Sequence, residues 1–573
     1  MDAFLDAVLL GVQTVNKYLS DYILIILLIG VGLYFTIRTR FVQVRCFGEG
    51  CKQMFGGMKW SGEKHGKSGM SSFQALATAI AAQVGTGNIV GACGAILLGG
   101  PGAIFWMWVI AFFGMATIYA EATLAQKTKT QTPDGEVVGG PAYYIRAAFK
   151  GKFGKILAVF FAVACVLALG FMGGMVQSNS IGEAFNTAFS IPTWVSGLVV
   201  VLAAGLIFLG GIQRIASVTE KIVPVMAALY IIGCLTVLAV NIKDVPEAFG
   251  LIFKYAFNPT AILGGGVGFA LKAAISQGAK RGLFSNEAGM GSTPHAHAVA
   301  KVDDPHKQGV SAMIGVFIDT FVVLTMTALV VITMLFTANT PLGKQYTDKI
   351  DTLQQCKTDV ELAVEYNKYY LELLHERTDK INGYDDVTVT AEYNAMYEAL
   401  TEKKLINEEK VESVALQKGK LYEYIAIDEP VLTGDELTVE SATEHIYAMT
   451  LENEGLSKTN AMQYSMTNGL PKGISGLGNG FVAICLFFFA FSTIVGWYFF
   501  GKQNMIYLFG KKSVVVYTVI SLIFVFIGSL LSNDLVWELT DMFNQLMVLP
   551  NALALIVLGG AVAAFAKKKK ANK

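Results

Sequence analysis

Two short stretches of this chain set glycine beside polar residues in a pattern that suits an opened backbone. Residues 84–88 read Val-Gly-Thr-Gly-Asn, and residues 288–292 read Ala-Gly-Met-Gly-Ser. Two glycines inside a helix cost about 2 kcal/mol, which marks the place where the helix gives way. A helix interrupted inside a membrane exposes N–H groups, which bind an anion with the help of the helix dipole. It also exposes C=O groups, which bind a cation. One break can therefore hold a carboxylate and a sodium ion together, the charges of an amino-acid zwitterion and its coupling ion. On this reading Gly85 opens the backbone, and Thr86, Gly87 and Asn88 supply amides to a carboxylate. Gln83 and the Thr86 hydroxyl add side-chain contacts, and the carbonyls of Ala81 and Val84 face the ion. The rival reading is close helix packing around small residues.

Further candidates come from polar residues inside apolar runs, where their desolvation is costly and function is the default reading. Sodium is hard and takes oxygen ligands. Ser492 and Thr493, in the run 478–500, supply hydroxyls, although such hydroxyls also bond back to their own helix. Trp497 lies one turn from Thr493 and either lines the same site or anchors at the membrane interface. Gln177 and Asn179 follow the glycine-rich stretch 170–174. Asn286 and Glu287 flank the second glycine pair, where Glu287 is a candidate coupling or gating charge. Asp319 is a second such charge, or else a structural hydrogen-bond acceptor. Glu121 is expected at the cytoplasmic interface, and His295 and His297 in packing or gating more than in a proton relay.

These residues need membrane helices to position them. The chain has 573 residues, 53% hydrophobic and only 15% charged. That balance excludes a cytosolic enzyme, a nucleic-acid binder and a disordered scaffold. Apolar runs of membrane-spanning length cover about 20–37, 72–98, 101–126, 154–180, 192–210, 218–240, 309–337, 478–500, 513–532 and 536–566, the last containing Pro550 and expected to kink or divide there. A weaker span within about 265–302 is required by charge. Loop 38–71 holds seven Lys/Arg, loop 127–155 six, loop 501–512 three and the tail 567–573 five, and these share the cytoplasmic side only if 265–302 crosses once. The result is eleven spans, with the N-terminus outside and the C-terminus inside. Leaving out 20–37, two sets of five remain. An odd number inverts the second set, and each glycine motif falls in the first helix of its set. Residues 3–15 read as a short interfacial helix and not as a processed leader. The seven cysteines form no disulfide pattern, and Cys46 and Cys51 make no metal motif, so the only metal expected is sodium, with no transition metal. No HExxH, GxSxG or phosphate-loop motif occurs, so no catalytic residue, cofactor or ATP-driven pump of that kind is expected.

Residues Gly99 to Gly114 (Gly-Gly-Pro-Gly-Ala-Ile-Phe-Trp-Met-Trp-Val-Ile-Ala-Phe-Phe-Gly) resemble the signature of the alanine/glycine:cation symporters, the sodium:alanine symporter family. Arg281 to Ser292 and Gly139 to Tyr144 resemble the same family, and the likeness covers about 70–338 and 476–566. The resemblance implies an all-α integral membrane fold: a LeuT-like, five-plus-five inverted repeat of the APC superfamily behind one N-terminal helix. It implies sodium-driven uptake of alanine or glycine, with protons as a possible substitute. It also implies an ion site at Ala81, Val84, Ala490 and Thr493, and entry of Phe284, Ser285 and Asn286 into the substrate site.

The expected organisation is an N-terminal segment 1–71, a first repeat 72–240, a connection with two helices 241–338, an insert 339–475, three helices 476–566 and a tail 567–573 in the plasma membrane. The insert departs from the family's short loop. Its 341–475 core carries 13 basic and 25 acidic residues and reads as a mostly helical extracellular cap. Its role stays open among a solubilising domain, a lid and a module for an extracellular partner. The runner-up functions are a transporter of another small zwitterion, a channel, and a receptor that uses the insert as ligand domain.

Overall fold

The computed structural model describes residues 2–56, 69–257, 267–337, 339–340, 458–531 and 533–567, with Thr352, Leu353, Gln355, Cys356, Leu362, Glu365, Tyr366, Tyr369 and Leu456 besides. Most of the acidic insert, and with it the expected helical cap, lies outside the described residues.

The chain opens with α1 (Asp2–Tyr18), which runs through a π-helical turn at Leu19–Leu24 into α2 (Ile25–Arg38). Positive φ at Arg40 (57°) and Phe41 (55°) turns the corner into α3 (Val42–Arg45) and α4 (Phe47–Gly56). A capping box between Ser71 and Gln74 starts α5 (Ser72–Gln83). After the break come a π-helical Gly87–Gly91 and α6 (Ala92–Gly99), which is bent 47° from α5. Next are α7 (Gly102–Thr128) and a small antiparallel pair, β1 (Thr130–Gln131) and β2 (Val137–Val138), with Thr130 opposite Val138. Then follow α8 (Pro141–Ala148), α9 (Gly151–Cys165), α10 (Gly174–Phe189), α11 (Thr193–Phe208), α12 (Gly211–Val240) and α13 (Val245–Phe257). The second half holds α14 (Val267–Asn286), α15 (Pro294–Val299), α16 (Pro305–Val316) and α17 (Thr325–Leu335), with a π-helical Phe317–Leu324 between the last two. The chain ends with α18 (Asn460–Gly469), α19 (Gly478–Phe509), α20 (Ser513–Gly528) and α21 (Asn533–Lys567). Proline opens α8, α15 and α16, where its missing N–H is no loss. Pro550 sits inside α21 without dividing it, so that expectation is corrected for a division.

Six described helices are long and apolar enough to cross a bilayer: α7, the α9–α10 run, α12, α16–α17, α19 and α21. The bent α5–α6 pair passes the same test as one broken span, and α2, α11 and α20 are shorter apolar helices. The fold is therefore that of a multi-pass, all-helical membrane protein. Helix α7 packs against α2, α13, α14 and α16, and α19 packs against α5, α10 and α12. The outer helices keep Leu202, Leu206, Ile232, Val515 and Val516 exposed, the surface expected of helices solvated by lipid. The end of the insert, α18, docks on α17 and α19.

Among the described residues, three of the basic loops, 38–71, 127–155 and 501–512, are tied together by direct contacts or through residues 300–301. Arg45 donates to the Ala566 carbonyl (3.0 Å), tying the first loop to the C-terminal end of α21. The Met70 and Lys301 backbones pair (3.0 Å), and Lys129 Nζ reaches the Ala300 carbonyl (2.9 Å). Lys502 pairs with Glu136 (3.1 Å) and Lys511 with Asp134 (3.0 Å), joining loop 501–512 to loop 127–155.

Close backbone approach sets the seating of α2. A Cβ on Gly32 would lie 2.6 Å from Phe113 Cβ and 2.9 Å from its carbonyl oxygen, whereas one on Gly30 would meet nothing within 4 Å. Gly32→Leu is therefore expected to lower the thermal unfolding midpoint of the purified protein, by an overpacking cost of about 1–3 kcal/mol. Gly30→Leu should leave it unchanged; equal midpoints for the two variants would mean that α2 does not pack on α7 in this way.

Candidate functional site

Helix α5 stops where the glycine motif begins. Val84 leaves the helix at φ −79°, ψ 87°. The two glycines that follow are required by space. A Cβ on Gly85 would lie 2.3 Å from Thr493 Oγ1, and one on Gly87 would lie 3.0 Å from Ser285 Cα. The freed amides find protein partners, as burial demands. The Gly85 N–H donates to Asn88 Oδ1 (3.0 Å), the Thr86 N–H to Gln177 Oε1 (3.2 Å), and the Asn88 N–H to the Gly85 carbonyl (3.3 Å). This differs from the expectation of open amides at Thr86 and Asn88. In this structure a carboxylate arriving at Thr86 has to displace the Gln177 oxygen.

The second break begins after Asn286, where α14 ends. Glu287 has φ 58°, Gly289 φ 92° and Gly291 φ 84°, a left-handed path that glycine follows freely and glutamate does not. Here too the freed groups are met. The Ala288 N–H donates to Asn286 Oδ1 (3.0 Å), and the Gly289 N–H to Glu121 Oε2 (3.2 Å). Asn551 Nδ2 donates to the Gly289 carbonyl (2.9 Å) and to the other Glu121 oxygen. Glu121 is thus fully buried against the second break, which corrects its expected place at the membrane interface. Glu287 accepts from the Ser292 hydroxyl and from the Trp497 indole N–H.

Asp319 joins the two breaks. Its Oδ1 accepts from Asn88 Nδ2 (2.7 Å) on the first, and its Oδ2 accepts from Ser285 Oγ (2.8 Å) on the second and from Thr320 Oγ1 (2.8 Å). The carboxylate sits on the π-helical stretch after α16, an irregularity often found at functional sites. Gln83 adds a second tie, donating to the Asn286 carbonyl (2.7 Å).

Beside the first break lies a corner of oxygen atoms. Thr493 Oγ1 bonds the carbonyls of Ala81 (2.9 Å) and Ala82 (3.3 Å). Ser492 Oγ reaches the Ala81 carbonyl (3.3 Å) and also bonds back to Phe489 on its own helix (2.9 Å). Val84 and Ala490 are buried. These are hard ligands, and a cation there would replace the hydroxyl-to-carbonyl bonds with contacts from each oxygen. Three buried side-chain atoms in this region have no hydrogen-bond partner among the described residues: Gln83 Oε1, Thr86 Oγ1 and Gln177 Nε2. Leaving such an atom unmet costs about 1–3 kcal/mol, so these three are open to a polar partner.

An aromatic wall closes one side. Phe284 meets Trp497 edge to face (5.7 Å, 88°) and Trp537 at 4.8 Å. Trp497 is buried, not at an interface. Arg281 lies over the Trp537 ring (4.8 Å) and pairs with Asp541 (3.1 Å), to which Lys280 also bonds (3.0 Å). The contribution of α21 (Trp537, Asp541 and Asn551) was missed by sequence reasoning. The signal for it was the opposite sign of Lys280 and Arg281 against Glu538 and Asp541 in two weakly amphipathic helices. Asn179 is not part of the site, since it donates to the Gly528 and Leu531 carbonyls. His295 bonds Ser292 and Asn504 and stacks between Phe161 and Phe500, and His297 bonds Gln308, both packing roles.

Comparison with known proteins agrees with this architecture. The pattern of the sodium:alanine symporter family matches residues 5–363 and 433–573, leaving 364–432 outside it. The chain is 34% identical over 552 residues to the sodium/alanine symporter AgcS of Methanococcus maripaludis, covering 96% of this chain and 95% of that one. It is 32% identical over 545 residues to the amino-acid carrier protein AlsT of Bacillus subtilis, covering 94% and 88%. An uncharacterized transporter of Haemophilus influenzae is 34% identical over 547 residues, covering 95% and 92%. With a match over nearly its whole length and its membrane helices interrupted at both glycine motifs, the chain belongs to the sodium:alanine symporter family.

Proposed function

We propose that this protein carries a small neutral amino acid, alanine or glycine, into the cell together with sodium, by alternating access to the site at the two breaks. The observation that carries the reading is the set of unmet polar atoms beside the oxygen corner. Gln177 Nε2 is a donor for a carboxylate, and the amide of Thr86 joins it once Gln177 turns. Gln83 Oε1 and Thr86 Oγ1 are acceptors for an ammonium group. Ala81, Val84, Ala490, Ser492 and Thr493 then hold sodium next to the carboxylate, so that the two charges support each other's binding. Phe284 and Trp497 leave room for a small side chain, and Ser285 and Asn286 complete the pocket from the second break.

In this reading eleven helices cross the membrane. Ten of them form two five-helix sets of opposite orientation, each beginning with one of the broken helices. The basic loops are cytoplasmic. Asp319 couples the breaks, so that moving one helix half is felt by the other, and Glu287 holds Trp497 in the gate. The insert is extracellular.

Three measurements test this. Proteoliposomes with an inward sodium gradient should accumulate labelled alanine or glycine, and preloaded vesicles should show counterflow. Uptake indifferent to sodium would remove the coupling, and absence of counterflow would leave a channel. Thr493→Val should raise the sodium concentration for half-maximal uptake about tenfold, equivalent to losing roughly 1.4 kcal/mol of ion binding; an unchanged value would move the ion elsewhere. Asp319→Ala strands the donors of Asn88, Ser285 and Thr320, at roughly 1–3 kcal/mol for each buried group left unmet. It should lower both the unfolding midpoint and uptake, and normal uptake would show that the clasp is dispensable.

A further inference from the structure

Beside the basic residues Arg45 and Lys307, three side chains of different chemistry converge. Cys46 lies between α3 and α4, Glu49 in the first turn of α4, and His306 in the first turn of α16. A sulfur, a carboxylate oxygen and an imidazole nitrogen of these residues all lie within 4.8 Å of one another. Glu49 Oε2 is already 3.5 Å from His306 Nε2.

The surroundings are built to hold this arrangement. His306 Nδ1 lies 2.7 Å from the Tyr119 hydroxyl, whose ring meets the imidazole edge to face at 5.6 Å. That contact orients the ring so that Nε2 faces the carboxylate, the outer support typical of a metal-binding histidine. Gly50 lets α4 lie directly on α16, since a Cβ there would come within 2.7 Å of the Val310 carbonyl and of Ile314. Cys46 and His306 are buried, while the Glu49 side chain keeps 28% of its surface open and leaves a way in.

We propose that Cys46, Glu49 and His306 bind a zinc-class divalent cation that fastens α4 to the start of α16. One thiolate, one imidazole and one carboxylate form a mixed sulfur, nitrogen and oxygen set, which suits zinc and not the all-oxygen ions sodium, magnesium or calcium. Bond lengths of about 2.0–2.3 Å in a tetrahedral site put ligand atoms roughly 3.3–3.8 Å apart, so the Glu49–His306 pair needs no movement and Cys46 closes by at most about one ångström. The fourth position is left to water. Cysteine spacing does not reveal this site, because the ligand that completes Cys46 is His306 from the other half of the chain and not Cys51. The helix it would pin continues directly into the stretch that carries Asp319.

The test uses the full chain, purified in detergent and stripped with a chelator. Titration with cobalt(II) should give a thiolate-to-cobalt charge-transfer band at one equivalent, removed by zinc and absent in Cys46→Ser. Glu49→Gln, a partly exposed position that should not disturb folding, should weaken cobalt binding at least tenfold. Zinc should raise the unfolding midpoint of the wild-type protein and not that of His306→Ala. The proposal is overturned if the wild-type protein gives no such band, if the band survives in Cys46→Ser, or if Glu49→Gln binds cobalt as the wild type does.

Discussion

A helix broken inside a bilayer has no water to satisfy the groups it frees, so every opened N–H and C=O must be met by something else. The rest of this structure follows from that constraint. At the first break the partners are Asn88 and Gln177, and at the second they are Asn286, Glu121 and Asn551. Each partner is itself a buried polar group that needs satisfying, so the requirement spreads from helix to helix. It ends at Asp319, whose two oxygens take donors from both breaks at once. The paired breaks are in this sense one object, held by a carboxylate that neither helix contains.

The same geometry explains why the glycines are needed. Gly87 faces the Ser285 backbone, Gly85 faces Thr493, and Gly496 lies against Ala82. None of these three has a positive φ; the requirement is room for another chain. Only at the second motif, where Gly289 and Gly291 turn left-handed, is the demand conformational. Two motifs alike in sequence therefore meet different physical needs. Close packing and helix interruption, which compete as readings of the sequence, are present together.

Around this centre the helices are sorted by solvent. Those that carry polar residues, α5, α16 and α19, are enclosed, and those that expose Leu202, Ile232 or Val515 face outward. Charged loops are tied to one another: Lys502 and Lys511 pair with Glu136 and Asp134, and backbone pairing links residue 70 to residues 299–301. The Lys511–Asp134 pair is exposed and adds little stability by itself, whereas Lys502 and Glu136 are largely buried. These pairs hold together loops that are far apart in the chain.

The sequence by itself determined the membrane class, the positions of both breaks and the family. Each of these depends on local chemistry: an apolar run long enough to span, a missing Cβ, a motif of contiguous residues. The gathering of Thr493 against Ala81 and the place of Phe284 and Ser285 at the first break were also legible, by resemblance. Only the tertiary structure decided that the Thr86 amide is held by Gln177, that Glu121 is a support for Gly289 and not an interface residue, and that α21 brings Asn551 to the second break and Trp537 and Asp541 to α14. The reason is physical. A residue's own type fixes what it needs, a donor, an acceptor or an empty space, but which distant group supplies it depends on how the helices are rotated and seated against one another, and no local pattern in the chain carries that rotation.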